Sequence, residues 1–220
     1  MTAPTPHPRT DLRGRLSLIV ITDDALAGER GVESVVADAL AAGAPCIQLR
    51  RKWGGSGTTF RLAQRLREMT AARGALLIVN DRVDIALASG ADGVHLGPHD
   101  LPVARVRRLV PSTFIVGYST DHPEDARRAE AEGASYLGCG TVWPTETKGD
   151  AGEAIGTEGL AAVAASVSIP VVGIGGISPS RAALLRATGA VGVAVVGAVM
   201  AAEHPGLATR QLLEALAPLE

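Results

Sequence analysis

The chain has 220 residues, of which 46% are apolar and 20% are charged, and its formal net charge is −2. This composition can bury a sizeable core, which excludes a disordered chain, and the charge argues against a nucleic-acid partner that needs a broad basic face. Aromatic residues make up only 3% of the chain, so the core must be aliphatic, which suits parallel strands buried on both faces.

Residues 1–14 are polar and rich in Pro and Thr. They lack the apolar centre of a signal peptide, so we expect a flexible N-terminal tail, followed by one catalytic domain over residues 15–220. No apolar run approaches the roughly 20 residues of a membrane helix. The two cysteines, Cys46 and Cys139, have no spacing typical of disulfides or metal sites. We therefore expect a cytoplasmic protein without a membrane partner.

Short apolar runs alternate with helical patterns along the whole chain. Eight runs are predicted as strands, at residues 16–21, 46–49, 75–79, 93–96, 114–117, 136–138, 170–174 and 191–196. Helical patterns between and after them include residues 32–42, 60–73, 180–188 and 207–216. Continuous apolar strands, each followed by a helix, indicate a parallel sheet. The count of eight predicts a single α/β domain, a (β/α)8 TIM barrel, with a doubly wound open sheet as the alternative.

Polar residues after the early strands mark candidate sites, because function in such a barrel lies in the loops that follow the strands. The cations Arg50, Arg51 and Lys52 follow strand 2. They fit a polyphosphate, or alternatively a solvated charge cluster. At the end of strand 4, His95 is expected to be a hydrogen-bonded structural residue.

Two carboxylates, Asp81 and Asp100, follow the neighbouring strands 3 and 4. Mg²⁺ is usually held by one or two carboxylates together with phosphate oxygens, so the pair predicts a magnesium site. The alternative is that each caps the following helix, which Pro102 near a first helical turn supports. Ser119, after strand 5, either binds an anion or caps the next helix.

The segment 141–156 after strand 6 has no apolar period and carries Thr145, Thr147 and Lys148. A long connection of this kind is typical of a binding loop, and we expect it to close on ligand so that Lys148 helps to exclude water. A surface excursion without a function is the alternative.

Glycines follow the last two strands, where barrels of this type often bind phosphate. Gly175 and Gly176 let backbone N–H groups approach an anion, and Ser178 with Pro179 predicts a capped helix start. Val196 and Gly197 open a short helical stretch after strand 8. The two loops together predict a phosphate cup, with simple glycine turns as the alternative.

Taken in order, these motifs resemble those of the thiamine phosphate synthase family. The resemblance runs from about Leu18 to Pro205. The matching stretches are Gln48-Leu49-Arg50 with Lys52, Asn80-Asp81-Arg82, Gly93-Val94-His95-Leu96-Gly97, Asp100-Leu101-Pro102, Gly117 with Ser119-Thr120, Pro144-Thr145 with Thr147-Lys148, and Ile174-Gly175-Gly176-Ile177.

The resemblance implies a Mg²⁺-dependent transferase that couples 4-amino-2-methyl-5-(diphosphooxymethyl)pyrimidine with thiazole phosphate. The residues implied for the pyrimidine diphosphate are Gln48, Arg50, Lys52, Asn80, Ser119 and Lys148, of which Lys52, Ser119 and Lys148 are catalytic. Asp81 and Asp100 would bind Mg²⁺. Those implied for the thiazole phosphate are Thr145, Thr147, Gly175, Gly176, Val196 and Gly197. The family mechanism needs no general base, only positioning and stabilisation of the departing diphosphate.

Four positions depart from the family pattern, namely Arg51, His99, Thr141 and Gly197. Arg51 and His99 are expected to alter the charge around the diphosphate, while Gly197 removes a hydroxyl and keeps its backbone donor. A thiazole tautomerase-like enzyme and a non-catalytic regulatory barrel that binds a phosphorylated metabolite remain alternatives. The partners are expected to be small molecules, and a homo-oligomer stays open.

Overall fold

The computed structural model describes residues 12–145 and 153–217. Eight strands form a closed barrel in the order β1 to β8, and each pairs in parallel with the next. The strands are β1 Leu18–Ile21, β2 Cys46–Leu49, β3 Leu76–Asn80, β4 Gly93–Leu96, β5 Ile115–Ser119, β6 Tyr136–Cys139, β7 Val171–Ile174 and β8 Gly192–Val195. The predicted TIM barrel is confirmed, and the open sheet is wrong.

Helices connect the strands and cover the barrel. They are α1 Leu12–Arg15, α2 Asp24–Ala27, α3 Gly31–Ala41, α4 Ser56–Ala72, α5 Val83–Ser89, α6 Val103–Arg107, α7 Pro123–Ala131, α8 Gly156–Ser166, α9 Pro179–Leu184, α10 Gly197–Met200 and α11 Pro205–Leu216. Short 3₁₀ helices occupy Gly28–Arg30 and Leu185–Thr188. No helix within the described ranges is both long and apolar enough to cross a membrane.

Helix α4 illustrates why these segments are helical and how they pack. Its buried residues recur at intervals of three or four, at Thr59, Leu62, Ala63, Leu66 and Thr70. This spacing places them on one face, which packs against the barrel, while the intervening charged residues face water. The strands are buried almost throughout, because helices cover their outer face and side chains fill the barrel inside.

The seam between β8 and β1 closes the barrel through a close backbone approach. A Cβ atom at Gly192 would lie only 2.3 Å from the carbonyl oxygen of Ser17. Real Cβ atoms are not found at such distances, so a residue with a side chain at this position must displace the backbone. Gly192 therefore allows the last strand to reach the first.

Helix α1 lies at the amino-terminal end of the barrel strands. Arg13 donates from Nη2 to the carbonyl of Ser168 (3.0 Å), just before β7, and Arg15 donates to the carbonyl of Gly74 (2.8 Å), just before β3. The last residues of the predicted tail, 12–14, are thus helical, and residues 1–11 lie outside the described part. The helix ties two sides of the barrel base together.

Strands β3 and β5 extend beyond their predicted ends through polar residues. Asn80 pairs with His95 within the sheet, and Ser119 pairs with Gly138. Both polar residues were predicted to follow their strands, because a polar side chain after an apolar run indicates the end of the strand. In a barrel the last strand residues face the open mouth, so they can be polar and still belong to the strand.

Candidate functional site

A cavity of about 360 Å³ opens at the carboxyl ends of β2 to β6, and we call it the central cavity. Its floor is apolar and includes Ile19, Ile21 and Val172. Its polar lining consists of Gln48, Arg50, Lys52, Asn80, Asp81, His95, His99, Asp100, Ser119 and Tyr136. Every described residue that was predicted for the pyrimidine diphosphate and its magnesium ion lies in this one cavity.

Arg50 is held in place by the neighbouring strand end. Its backbone N–H donates to the Thr22 hydroxyl (3.0 Å), and that hydroxyl donates to the Arg50 carbonyl (3.2 Å). The guanidinium lies 3.8 Å from Asp23, and only 12% of the Arg50 side chain is exposed. The alternative of a fully solvated charge cluster therefore fails for Arg50, which points into the cavity.

Arg51, one of the departures from the family pattern, has a different environment. Its Nε donates to Asp24 at 3.1 Å, and it does not line the central cavity. The expected effect of Arg51 on the charge around the diphosphate is therefore reduced by this ion pair. His99, the second departure, does line the cavity.

The carboxylates Asp81 and Asp100 meet at the cavity mouth. Desolvation raises the pKa of Asp81 to about 6, and a hydrogen bond and charge repulsion from Asp100 act in the same direction. Arg50 and Lys52 oppose this shift. The backbone N–H of Gly97 donates to Asp100 at 2.6 Å and so orients that carboxylate. Two acids brought together in this way suit a divalent cation.

The alternative that these acids cap helices is wrong. Helix α5 has Arg82 as its N-cap and α6 has Pro102, and neither helix start receives a side-chain hydrogen bond from Asp81 or Asp100. Ser119 does not cap a helix either, since it ends β5 and α7 begins only at Pro123. The three side chains are thereby directed to the mouth rather than used by helix ends.

Within the described residues no group of three or more His, Cys, Asp or Glu side chains forms a complete metal cage. The donor set at Asp81 and Asp100 consists of carboxylate oxygens alone. Such a set matches Mg²⁺, which keeps several waters and shares substrate phosphate oxygens, better than it matches a metal that needs a full set of protein ligands.

A row of hydrogen bonds lies deeper in the central cavity. The Tyr136 hydroxyl lies 2.9 Å from His95 Nδ1, and His95 Nε2 lies 2.8 Å from the Ser119 hydroxyl. His95 and Tyr136 are buried. From the sequence His95 was expected to be only a hydrogen-bonded structural residue, and Tyr136 was not predicted to have a role. The sequence did contain a signal for these two residues, namely Gly117 and Gly138 on β5 and β6. A glycine beside a large residue leaves the space that the large side chain occupies.

A second cavity, of about 430 Å³, lies over β7 and β8, and we call it the glycine cavity. Its lining includes the predicted phosphate residues Thr145, Gly175, Gly176, Val196 and Gly197. Gly175 and Gly176 have φ values of 101° and 64°, which residues with side chains rarely adopt. Loops 7 and 8 thus line one cavity, and its use as a phosphate cup stays a prediction.

The start of α9 also agrees with the sequence. Ser178 is its N-cap, accepting from the backbone N–H of Arg181 (3.3 Å), and Pro179 is the first helical residue. Arg181 in turn donates to the Gly176 carbonyl (2.7 Å) and lies 5.4 Å from the Trp143 ring centroid. It thus joins the loops that follow β6 and β7.

Two predicted residues, Thr147 and Lys148, lie outside the described residues. The expected closure of the segment 141–156 on ligand concerns the same region and stays a prediction. Thr145 and Thr141, at the described start of this segment, line the glycine cavity.

Both the sequence and the fold are similar to those of known proteins. The family described as thiamine monophosphate synthase matches residues 18–199. A thiamine-phosphate synthase from Moorella thermoacetica is 47% identical over 197 residues, which cover 90% of this chain and 94% of the relative. One from Roseiflexus castenholzii is 44% identical over 217 residues, covering 99% and 93%. The solved structure of thiamine phosphate pyrophosphorylase from Pyrococcus furiosus has a TM-score of 0.85 at 42% identity, covering 93% of this chain and 97% of that one.

Proposed function

The chain belongs to the thiamine monophosphate synthase family and makes thiamine phosphate, and we propose that its two cavities divide the substrates between them. The pyrimidine diphosphate occupies the central cavity, and the thiazole phosphate occupies the glycine cavity. The observation that carries this division is that both cavities share Ile174 and Ala194 in their walls. The two substrates can therefore meet above these residues.

In the central cavity the cations hold the diphosphate. Arg50 and Lys52 lie beside Asp81, since both lower the pKa of its carboxyl. The negative charge on the diphosphate grows as its bond to the pyrimidine methylene breaks, and fixed cations stabilise that growing charge. Gln48, Asn80 and Ser119 are placed to hold the pyrimidine. Lys148, outside the described residues, is proposed for the same substrate.

We assign Asp81 and Asp100 to Mg²⁺, for which their paired carboxylates are the fitting donors. When bound, the ion would neutralise charge on the diphosphate oxygens. The protein's part is to hold the two carboxylates at the mouth, which the hydrogen bond from Gly97 to Asp100 does for one of them.

The reaction needs no proton transfer. The C–O bond between the pyrimidine methylene and the diphosphate breaks, the diphosphate leaves with the electron pair, and the thiazole nitrogen forms the new C–N bond. The aliphatic floor at Ile19, Ile21 and Ile174 limits water around the electron-poor methylene. Positioning and charge stabilisation then supply the catalysis.

In the glycine cavity, backbone N–H groups of the β7 and β8 loops receive the thiazole phosphate. Thr145 adds a hydroxyl on one side. Thr147 is proposed for the same phosphate. Gly197 lacks the side-chain hydroxyl of the family pattern, but its backbone remains part of the wall.

The alternatives fit less well. A tautomerase-like enzyme does not need an acidic pair beside two cations, and a regulatory barrel does not need two adjoining cavities of this size. The named relatives are synthases at 42–47% identity over most of the chain. For its setting we propose the cytoplasm, which the two buried free thiols support, and small-molecule substrates without a nucleic-acid partner.

The test is thiamine phosphate formation from the two substrates with Mg²⁺ and with EDTA. We expect Mg²⁺-dependent product, and a fall of about 100-fold in kcat for Lys52→Ala, because the growing charge loses one fixed cation. Arg51→Ala is the matched control. Arg51 is the neighbouring cation but pairs with Asp24, so its removal should leave the rate unchanged. Product formation that is indifferent to EDTA would overturn the magnesium assignment alone. Equal effects of both substitutions would overturn the role of Lys52.

A further inference from the structure

We propose that Tyr136 and His95 are positioning residues, which fix the direction of the Ser119 hydrogen bond so that the hydroxyl donates toward the pyrimidine substrate. This inference rests on the proposed placement of that substrate in the central cavity. It gives a role in the reaction to two buried side chains that the mechanism above does not use.

Two hydrogen bonds from His95 connect side chains on three consecutive strands. His95 lies on β4, Ser119 on β5 and Tyr136 on β6, and the two hydrogen bonds measure 2.9 Å and 2.8 Å. Tyr136 is 1% exposed and His95 is 8% exposed. Ser119 stands at the open end of the row, where it lines the cavity. All three line the central cavity, but Ser119 is the least buried of them, so any constraint on the ring of His95 is passed to the hydroxyl nearest the strand end.

The neighbouring strands leave room for this row. A Cβ atom at Gly117 would lie 2.4 Å from the Tyr136 ring and 2.5 Å from His95 Nδ1. A Cβ atom at Gly138 would lie 3.1 Å from His95 Cε1. The core is largely aliphatic, and buried polar groups cost free energy unless they are hydrogen-bonded. Two polar rings that are buried at this depth and flanked by two glycines therefore do more than pack the interior of the barrel.

The direction of the hydrogen bonds follows from the tyrosine. Burial raises the pKa of Tyr136 well above its ordinary value, so the phenol keeps its proton and has one hydrogen to donate. The Gln48 side chain also hydrogen-bonds to Tyr136, which acts against that shift. We assign the one phenolic hydrogen to the short contact with His95 Nδ1. The imidazole carries its hydrogen on Nε2 and donates to Ser119.

In this arrangement the Ser119 oxygen already accepts a hydrogen bond from His95. Its own hydrogen is then available to an acceptor atom of the pyrimidine substrate. In the opposite direction Ser119 would donate to His95 and offer the substrate only lone pairs. The two directions therefore predict different substrate contacts from the same heavy-atom positions.

The first experiment is to read the tautomer of His95 directly, in protein labelled with ¹⁵N-histidine and without substrate. The chain has five histidines, and the His95 signals are identified by their loss in His95→Gln or, if that variant does not fold, by backbone-linked assignment. We expect hydrogen on Nε2 in the wild type and a loss of this preference in Tyr136→Phe. Hydrogen on Nδ1 in the wild type would overturn the proposal.

The second experiment is a double-mutant cycle on kcat/KM for the pyrimidine diphosphate. Tyr136→Phe should lower it about tenfold, the value of one hydrogen bond, and leave the KM for thiazole phosphate unchanged. In a Ser119→Ala background the same change should have less than about a twofold effect. If the two substitutions instead lower kcat/KM by factors that multiply, the proposal is overturned, because Tyr136 would then act independently of Ser119.

Tyr118→Phe is the matched control, since Tyr118 lies on β5 but lines neither cavity. It should change neither the tautomer nor the rate. The result of these experiments can be distinguished from the result of the test of the proposed function. A wild type that forms no thiamine phosphate contradicts the reaction, while the spectrum of the substrate-free protein still decides the direction of the row.

Discussion

Asp81 combines two unfavourable features at one residue. Its φ of 63° is positive, unlike that of every other non-glycine residue in the described ranges, and the pKa of its carboxyl is raised to about 6. Asp and Asn tolerate this backbone conformation better than residues without a short polar side chain. Strain of this kind persists where the surrounding structure enforces it, often at functional sites. The choice of substitution at this position therefore matters.

Asp81→Asn should make the metal-free protein more stable at about pH 7 and leave it unchanged at about pH 4. The wild-type carboxyl has a folded-state pKa of about 6 against an ordinary value of 3.8. The folded state therefore binds a proton more readily than the unfolded state, and its stability falls as pH rises through that window. Asn is neutral throughout and suits the positive φ. The measurement is urea unfolding in EDTA at both pH values.

Asp84→Asn is the control with the opposite sign. A hydrogen bond from Arg82 lowers the pKa of Asp84, so its contribution is present at neutral pH and is lost as pH falls through that lowered pKa. This variant should be no more stable than the wild type at about pH 7. A gain in stability at Asp81→Asn that does not change with pH would contradict the interpretation.

The sequence could predict the residues of the site better than their surroundings. Lys52 and Arg51 are adjacent cations with the same local sequence environment, yet one faces the cavity and the other pairs with Asp24. Nothing in the local pattern shows that Asp24 on the preceding loop is within reach of Arg51. The partner of a charge is a tertiary property, and it decides which cation is available to a ligand.

Among the elements, strand positions could be predicted well and strand ends less well. The bounds of β2 and β4 agree with the apolar runs, whereas β3 and β5 continue through Asn80 and Ser119. Hydrophobicity marks where a strand is enclosed by helices and core. It cannot mark the last residues of a barrel strand, because these leave the core for the mouth while their backbone pairing continues.

Gly192→Ala should lower the free energy of unfolding by about 1–3 kcal/mol, the usual cost of overpacking. The new methyl group would meet the Ser17 carbonyl at 2.3 Å and disturb the seam between β8 and β1. Gly57→Ala, at the start of α4, is the comparison. Its methyl group would meet only the flexible end of Arg61 at 3.7 Å, and alanine favours a helix. Urea unfolding should separate the two, and a tolerated Gly192→Ala would contradict the close packing of the seam.

Arg181→Ala should raise the KM for thiazole phosphate about 3- to 10-fold, since it removes one cation–π contact and one hydrogen bond. Its guanidinium connects Trp143 after β6 with Gly176 after β7, and both loops border the glycine cavity. Steady-state kinetics with the pyrimidine diphosphate saturating will measure the change. Arg186→Ala serves for comparison, because Arg186 bonds to Ala217 instead. Equal KM values for the two variants would show that the connection has no part in phosphate binding.

On the scale of the whole molecule, the two cavities differ in charge. The central cavity contains cations and an acidic pair, whereas no charged residue among the described ones lines the glycine cavity. The (β/α)8 architecture and the location of both cavities follow from strand count and the glycines of the last loops. The shared wall at Ile174 and Ala194 does not, because it depends on how the side chains of β7 and β8 lie between the two cavities in the closed barrel.

Calorimetry should therefore give each substrate its own dependence on metal. Binding of the pyrimidine diphosphate should weaken about tenfold or more in EDTA or in Asp81→Asn, because its charge is then less well neutralised. Binding of thiazole phosphate should be the same under all three conditions. A thiazole phosphate affinity that follows Mg²⁺ would mean that the metal reaches both cavities and that their separation is wrong.

The glycines beside the buried rings also bear on how this barrel can change over generations. Gly117 has no space for a methyl group while Tyr136 and His95 keep their present rings, and Gly138 has little. A descendant can enlarge either glycine only after one of these rings has become smaller, and the order of those changes is thereby constrained. These four positions, which are far apart along the chain, should accordingly vary together among homologous sequences and pass through few viable intermediates.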